Sequence, residues 1–295
     1  MSKNTWLYII IGVLVGCLSA CDKNAHEAEQ HGVSACLSFA DELDVNRVKA
    51  FNGYLWIYNS TGKLVEEYTY ADEKDLASQR FYLASGQYIF VSALNLQSPL
   101  AYKNQNATET LTFQVSSSTS LPEHAFYATT EVEVDGNKSQ WVTLPMKRFL
   151  SELTIMITDA PSGTRLAAKV YEPAEGVYPV WKDADGRFGL PTAESLSEIT
   201  IPEVTEQGGN IVTESVKLMP TPQGKSVSKM ELVLTTVDGG TFVCDVEAPV
   251  MQLGGIYELN LPYHDLKPYL HVSASKITDW KEGWTIDGEI LNPTN

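Results

Sequence analysis

From Phe149 to Thr158 the side chains alternate, with Phe149, Ser151, Leu153, Ile155 and Ile157 on one side and Glu152, Thr154 and Thr158 on the other. A repeat of two residues puts successive side chains on opposite faces of an extended backbone, so this stretch reads as a strand with one face in a core and the other toward water. The same period, or a short apolar run closed by turn residues, recurs from Ala35 onward, and no long stretch carries the 3.6-residue period of a helix. That pattern commits the chain to an all-β fold.

The predicted strands follow in order. Cys36 to Phe39 opens the folded part, and Asp41-Glu42-Leu43-Asp44 with Arg47 marks a polar connection. Tyr54 to Tyr58 is covered on both faces by its composition, as in a central strand, and Gly62 turns the chain into Leu64 to Tyr68. Arg80 to Leu83 and Tyr88 to Leu94 form a pair about Gly86, and the polar stretch from Asn95 to Ser120 contains one strand candidate, Leu111 to Val115. Ala125 to Val134 and Gln140 to Leu144 flank an Asp135-Gly136-Asn137 turn, after which Pro145 punctuates. The alternation restarts at Phe149, which places a domain boundary near Pro145. Beyond it Ala167 to Tyr171, Tyr178 to Trp181, Arg187 to Leu190, Met230 to Val237, Thr241 to Cys244, Ile256 to Leu261 and Tyr269 to Ala274 complete about seven strands per half.

The N-terminus has a different character. One positive charge, Lys3, precedes a dozen apolar or small residues from Trp6 to Gly16, too few for the ~20 that span a bilayer. Leu18-Ser19-Ala20-Cys21 closes the run like a lipobox, in which a signal peptidase cuts before a cysteine whose thiol carries a diacylglycerol. Leu14-Val15-Gly16-Cys17 also fits, but cutting there leaves an apolar start and a shorter leader. Residues 1–20 are therefore expected to be a signal peptide and 21–34 an acylated, polar tether. Folded units are expected over 35–145 and 146–295.

Loss of Lys3 with the leader leaves 20 basic against 37 acidic residues, a net charge of −17. Such a chain does not bind nucleic acid by neutralising phosphates, nor an anionic membrane by charge. Attachment is expected through two or three acyl chains on Cys21, palmitate among them, each buried CH₂ contributing about 0.8 kcal/mol. Cys36 and Cys244 remain, either as buried free thiols or as a disulfide.

Motifs for chemistry are sparse. His26 and His31 fall in the tether, and His124, His264 and His271 lack metal-ligand spacing. Gly224-Lys225-Ser226 resembles the end of a phosphate loop, but Met219 stands where its first glycine belongs. Asp183, Asp185 and Gly186 fit a β-turn better than a calcium loop, whose ligand series is incomplete. No catalytic residue, metal, cofactor or small-molecule substrate is expected. The aromatics Tyr54, Trp56, Tyr58, Tyr88 and Phe90 read as core, although a sugar-stacking platform would use the same residue types.

Several segments together resemble the FimB and Mfa2 group of fimbrial anchor lipoproteins of Bacteroidales, related to the fimbrillins. They are the lipobox at Cys21, Asn46-Arg47-Val48 leading into Leu55 to Asn59, Gly62 to Val65, Leu83 to Val91, Leu144 with Lys147-Arg148, and Ile277-Thr278-Asp279-Trp280-Lys281-Glu282-Gly283. The resemblance implies two tandem transthyretin-like Greek-key β-sandwich domains, outer-membrane lipid anchorage facing the cell surface, and a place at the base of a fimbrium, or pilus, used in cell adhesion. Its C-terminal signature falls on Ile277, Asp279, Trp280 and Gly283. It also implies pilin partners engaged by β-strand addition, in which an open sheet edge takes a strand from a neighbour. A stalk or tip subunit would instead lose its lipidated first strand to a protease cutting after a basic residue, for which Arg47 is the candidate. A surface glycan-binding lipoprotein is the alternative from another class.

Overall fold

A computed structural model describes residues 31–39, 52–116 and 121–266, and the backbone of four short strands between 271 and 291. The chain is all-β apart from one short helix and a 3₁₀ turn among the described residues, as its alternation predicts. The first eight strands are β1 (Val33–Phe39), β2 (Gly53–Asn59), β3 (Leu64–Tyr70), β4 (Gly86–Leu94), β5 (Leu100–Lys103), β6 (Thr112–Val115), β7 (Phe126–Val134) and β8 (Gln140–Arg148). The helix, α1 (Glu73–Ser78), follows β3. Asp72 caps it by accepting from the Asp75 amide at 2.8 Å.

Strands β9 (Ser151–Thr158), β10 (Arg165–Tyr171), β11 (Gly176–Lys182), β12 (Phe188–Pro191), β13 (Glu198–Thr205), β14 (Ile211–Val212), β15 (Val216–Leu218), β16 (Ser228–Thr235), β17 (Thr241–Ala248) and β18 (Ile256–Pro262) follow. The last four are β19 (His271–Val272), β20 (Lys276–Ile277), β21 (Trp284–Thr285) and β22 (Ile290–Leu291).

These strands form a first sheet β1-β8-β7-β4-β2-β3, a bridging sheet β12-β11-β6-β5, two further sheets, β13-β10-β16-β17 and β14-β9-β18-β21-β20 with β15 also paired to β9, and a ribbon of β19 and β22. Strand β2 explains the first packing. Leu55 and Ile57 enter one core with Phe90, Leu94, Phe126 and Leu144, while Trp56 and Tyr58 enter another with Val91, Phe113, Tyr127 and Phe149. All four of the β2 side chains are fully buried, and burial of each is worth roughly 1.5–3 kcal/mol. Trp56, Tyr58 and Phe90 are therefore core. A third core gathers the inward rows of β9, β10, β16 and β18, including Leu153, Ile155 and Ile157.

Three departures from the sequence pattern have local causes. Arg80 to Leu83 is not a strand, since Phe81 alone makes a bridge, to Val33. Pro145 does not punctuate but lies inside β8, opposite Ser38 of β1, where its missing N–H is tolerated beside an edge strand. The β11–β12 hairpin, turned at Asp183 to Gly186, pairs with β6 through Gly176↔Gln114 and Val177↔Phe113, so it covers the first sheet rather than the second half.

A candidate interaction edge

Strand β1 occupies the edge of the first sheet and runs parallel to β8 through seven register pairs, from Val33↔Gln140 to Phe39↔Met146. Its alternation sets the seat. Val33, Ala35 and Leu37 are buried in the core with Val142, Leu144 and Met146, while Ser38 looks outward. At its first residue β1 is held from the other side too, since Val33 and Phe81 exchange backbone hydrogen bonds of 2.9 and 2.8 Å. Beyond Val33 no strand pairs with that outer edge among the described residues, although α1 packs beside it. Such an edge carries backbone groups able to pair with a further strand.

The outward row of β8 is Trp141, Thr143, Pro145 and Lys147, all exposed. The bridging sheet covers the same face of the neighbouring strands β7, β4 and β2. Thr129 of β7 donates to the Pro179 carbonyl at 2.8 Å, and Glu131 pairs with Lys182 at 2.9 Å. At the Lys147 end a cavity of about 300 Å³ opens, lined by Tyr127, Phe188 and Gly189 among others. The Tyr127 hydroxyl donates to the Phe188 carbonyl, and Gly189 has a φ of 102° with no room for a Cβ beside that hydroxyl.

Where β8 gives way to β9, an ion cluster joins the end of β8 to the β9–β15 ladder. Glu152 of β9 receives Arg148 at 3.0 Å and Lys217 at 2.8 Å on one carboxylate oxygen, and Ser215 at 3.2 Å on the other. Burial opposes its charge, but Lys217 and Arg148 outweigh that and hold its carboxyl below the usual range.

The lipobox Leu18, Ser19 and Ala20, the acylation candidate Cys21, the protease candidate Arg47, and Asp279, Trp280 and Gly283 lie outside the described residues. Ile277 is described by its backbone, in β20 opposite Trp284. Cys36 and Cys244 are free thiols: Cys36 lies 3.7 Å from the Thr143 hydroxyl, and Cys244 donates to the Leu266 carbonyl at 3.3 Å in another core. Burial pushes the Cys244 thiol up, with Asp245 adding to it.

The Asp183 turn is filled by its own chain. Asp183 accepts from the Arg187 side chain at 2.8 Å and from the Asp185 and Arg187 amides, which leaves no calcium-loop geometry. Among the described residues no three His, Cys, Asp or Glu side chains gather as a metal site. No described helix is long and apolar enough to cross a membrane. Sequence reasoning missed the exposure of Trp141 and Trp181, at 66% and 42%, the latter stacked on Tyr178 at 4.5 Å. For Trp141 a signal existed in its place opposite apolar Val142 and Leu144.

A family model for the fimbrillin-A associated anchor proteins Mfa1 and Mfa2 matches residues 49–281. Among solved structures, a candidate adhesin from Bacteroides ovatus is similar at 11% identity, covering 79% of this chain and 87% of its own, with a TM-score of 0.52. The fimbrial anchor protein Mfa2 from Porphyromonas gingivalis is similar at 11% identity over 88% of this chain and 99% of its own, with a TM-score of 0.48. A candidate adhesin from Bacteroides thetaiotaomicron has 14% identity over 74% and 80%, with a TM-score of 0.49. No curated protein matches the sequence.

Proposed function

Because this chain belongs to the family of fimbrillin-A associated anchor proteins Mfa1 and Mfa2, we propose that it is the anchor or assembly subunit at the membrane end of a fimbrium. The family is one of fimbrial structural proteins rather than of enzymes, and its members are associated with fimbriae at the cell surface. In the proposed reading Cys21 carries the acyl chains, the outer membrane holds them, and pilin subunits engage the chain by β-strand addition. Its two units divide after β8, which runs on through Pro145 to Arg148, and the first is capped by the β11–β12 hairpin of the second.

The observation that supports this reading is the seat of β1. The strand takes up Val33 and Ser34, the last two residues expected in the tether, fills a core position with Val33, Ala35 and Leu37, and precedes Arg47. A cut after Arg47 would detach β1 together with Cys21 and leave its place beside β8 to be filled by a neighbour's strand. An anchor keeps both. Mass spectrometry of the native N-terminus checks this: a mature chain starting with acylated Cys21 is expected, and one starting at Val48 would make the protein a polymerising stalk or tip subunit.

A second reading, surface glycan binding, is favoured by the exposed Trp141 and Trp181. It predicts that a polysaccharide perturbs tryptophan emission in the intact protein and that Trp181→Ala abolishes the change.

A further inference from the structure

We propose that the bare outward row of β8 and the cavity at its end form a docking track for an extended, carboxylate-bearing segment of a fimbrial subunit. The inference rests on the fimbrial role proposed above. Its first support is coverage. The bridging sheet shields β7, β4 and β2 but leaves Trp141, Thr143, Pro145 and Lys147 facing water, with Trp141 66% exposed. A tryptophan ring left so open on a regular strand is the kind of surface that anchors a partner's apolar side chain. From Trp141 to Lys147 the row runs about 20 Å, the length of an extended segment of about six residues.

Charge complementarity identifies the occupant. The cavity at Lys147 adjoins a second one of about 240 Å³, and the two share the Thr221 to Lys225 loop. Together they are lined by Lys147, Arg187, Lys225 and Lys229 against Glu172 and Asp183, a cationic cleft in a chain whose net charge is −16. Asp183 is taken by Arg187 and Glu172 by Lys225, at 2.8 and 2.9 Å. Lys229 shares Glu172 with Lys225, and Lys147 has no ion-pair partner among the described residues. A carboxylate entering here meets uncompensated positive charge, and β12, the edge strand forming one wall, can pair with peptide backbone. An apolar side chain on Trp141 followed by acidic side chains toward Lys147 matches the track.

The test uses the purified full chain and a fluorescein-labelled six-residue peptide alternating valine and glutamate, followed by anisotropy. Binding is expected that weakens with added salt, falls at least tenfold in Lys147→Glu and in Trp141→Ala, and is kept in Lys147→Arg. Both positions are exposed, and unchanged melting of each variant confirms that it folds. The proposal is overturned if Lys147→Glu binds as well as the parent, if a valine–lysine peptide binds equally, or if oligogalacturonate binds and the peptide does not. On cells, Lys147→Glu should reduce retained fimbriae while Cys21 stays acylated. Full retention in that variant with loss in Cys21→Ser overturns the track and leaves the anchor reading intact, whereas retention in Cys21→Ser counts against the anchor alone.

Discussion

Val33 and Phe81 exchange two backbone hydrogen bonds, 2.9 and 2.8 Å long, and so close the outer side of the edge strand β1 at its first residue. The rest of β1 is held by β8 and by the burial of Ala35 and Leu37. Leu37→Ala is therefore expected to cost about 2–3 kcal/mol in urea unfolding. It should also speed proteolysis near β1 more than near β9, which limited digestion read by mass spectrometry will show.

Glu152 joins the end of β8 to the β9–β15 ladder through Arg148 and Lys217, with side-chain exposures of 16%, 20% and 12%. Its carboxyl is held below its ordinary value, so the charged form stabilises the fold above the unfolded pKa, near 4.5, and that stability is lost as pH falls through the lower folded value. Glu152→Gln should cost about 2 kcal/mol at neutral pH, less than a fully buried pair, since water reaches all three groups. The difference between variant and parent should shrink below pH 4.5 in melts taken across pH.

Gly53 lies under the ring of Tyr70, whose hydroxyl shares a buried 2.7 Å hydrogen bond with Ser92. A Cβ there would fall 2.1 Å from the ring. Gly53→Ala is expected to destabilise by about 3 kcal/mol through overpacking, and Tyr70→Phe in the same background should not rescue it, because the ring and not the hydroxyl is in the way. Urea midpoints of the two variants decide this.

Tryptophan emission separates the core from the surface. Trp56 is fully buried and donates to Glu67 at 2.9 Å, while Trp141 is 66% exposed. Trp141→Phe should remove a large share of the acrylamide-quenchable emission with little change in stability. Trp56→Phe should spare quenching and lower stability, which a quenching titration beside a thermal melt will distinguish.

Strands with a regular alternation were legible because burial on one face imposes a period of two on the sequence itself, as in β9 and in the paired β16 and β17. The core role of Trp56 and Tyr58 was legible for a different reason, since Leu55 to Tyr58 is an unbroken apolar run, the mark of a strand covered on both faces. Pairing between distant strands was not. The parallel ladders β1–β8 and β9–β18 and the junction of β11 with β6 depend on loop closure and shape, to which a local pattern is blind. Helix α1, six residues long, is too short to display a helical period, and only the Asp72 cap marks it. Of the candidate site, the β1 strand was visible in part, from Cys36 onward. The β8 row was not, since nothing in Trp141 alone says that the bridging sheet stops short of it.

Because β1 and β8 run in the same direction, a tension applied upstream of Val33 while the rest of the molecule is held beyond Arg148 acts along the ladder and loads its seven pairs at once. Antiparallel strands pulled from a shared end would open like a zip, one pair at a time. The parallel seat thus makes the junction between β1 and the body a shear joint, suited to bearing a steady drag on whatever is attached beyond it.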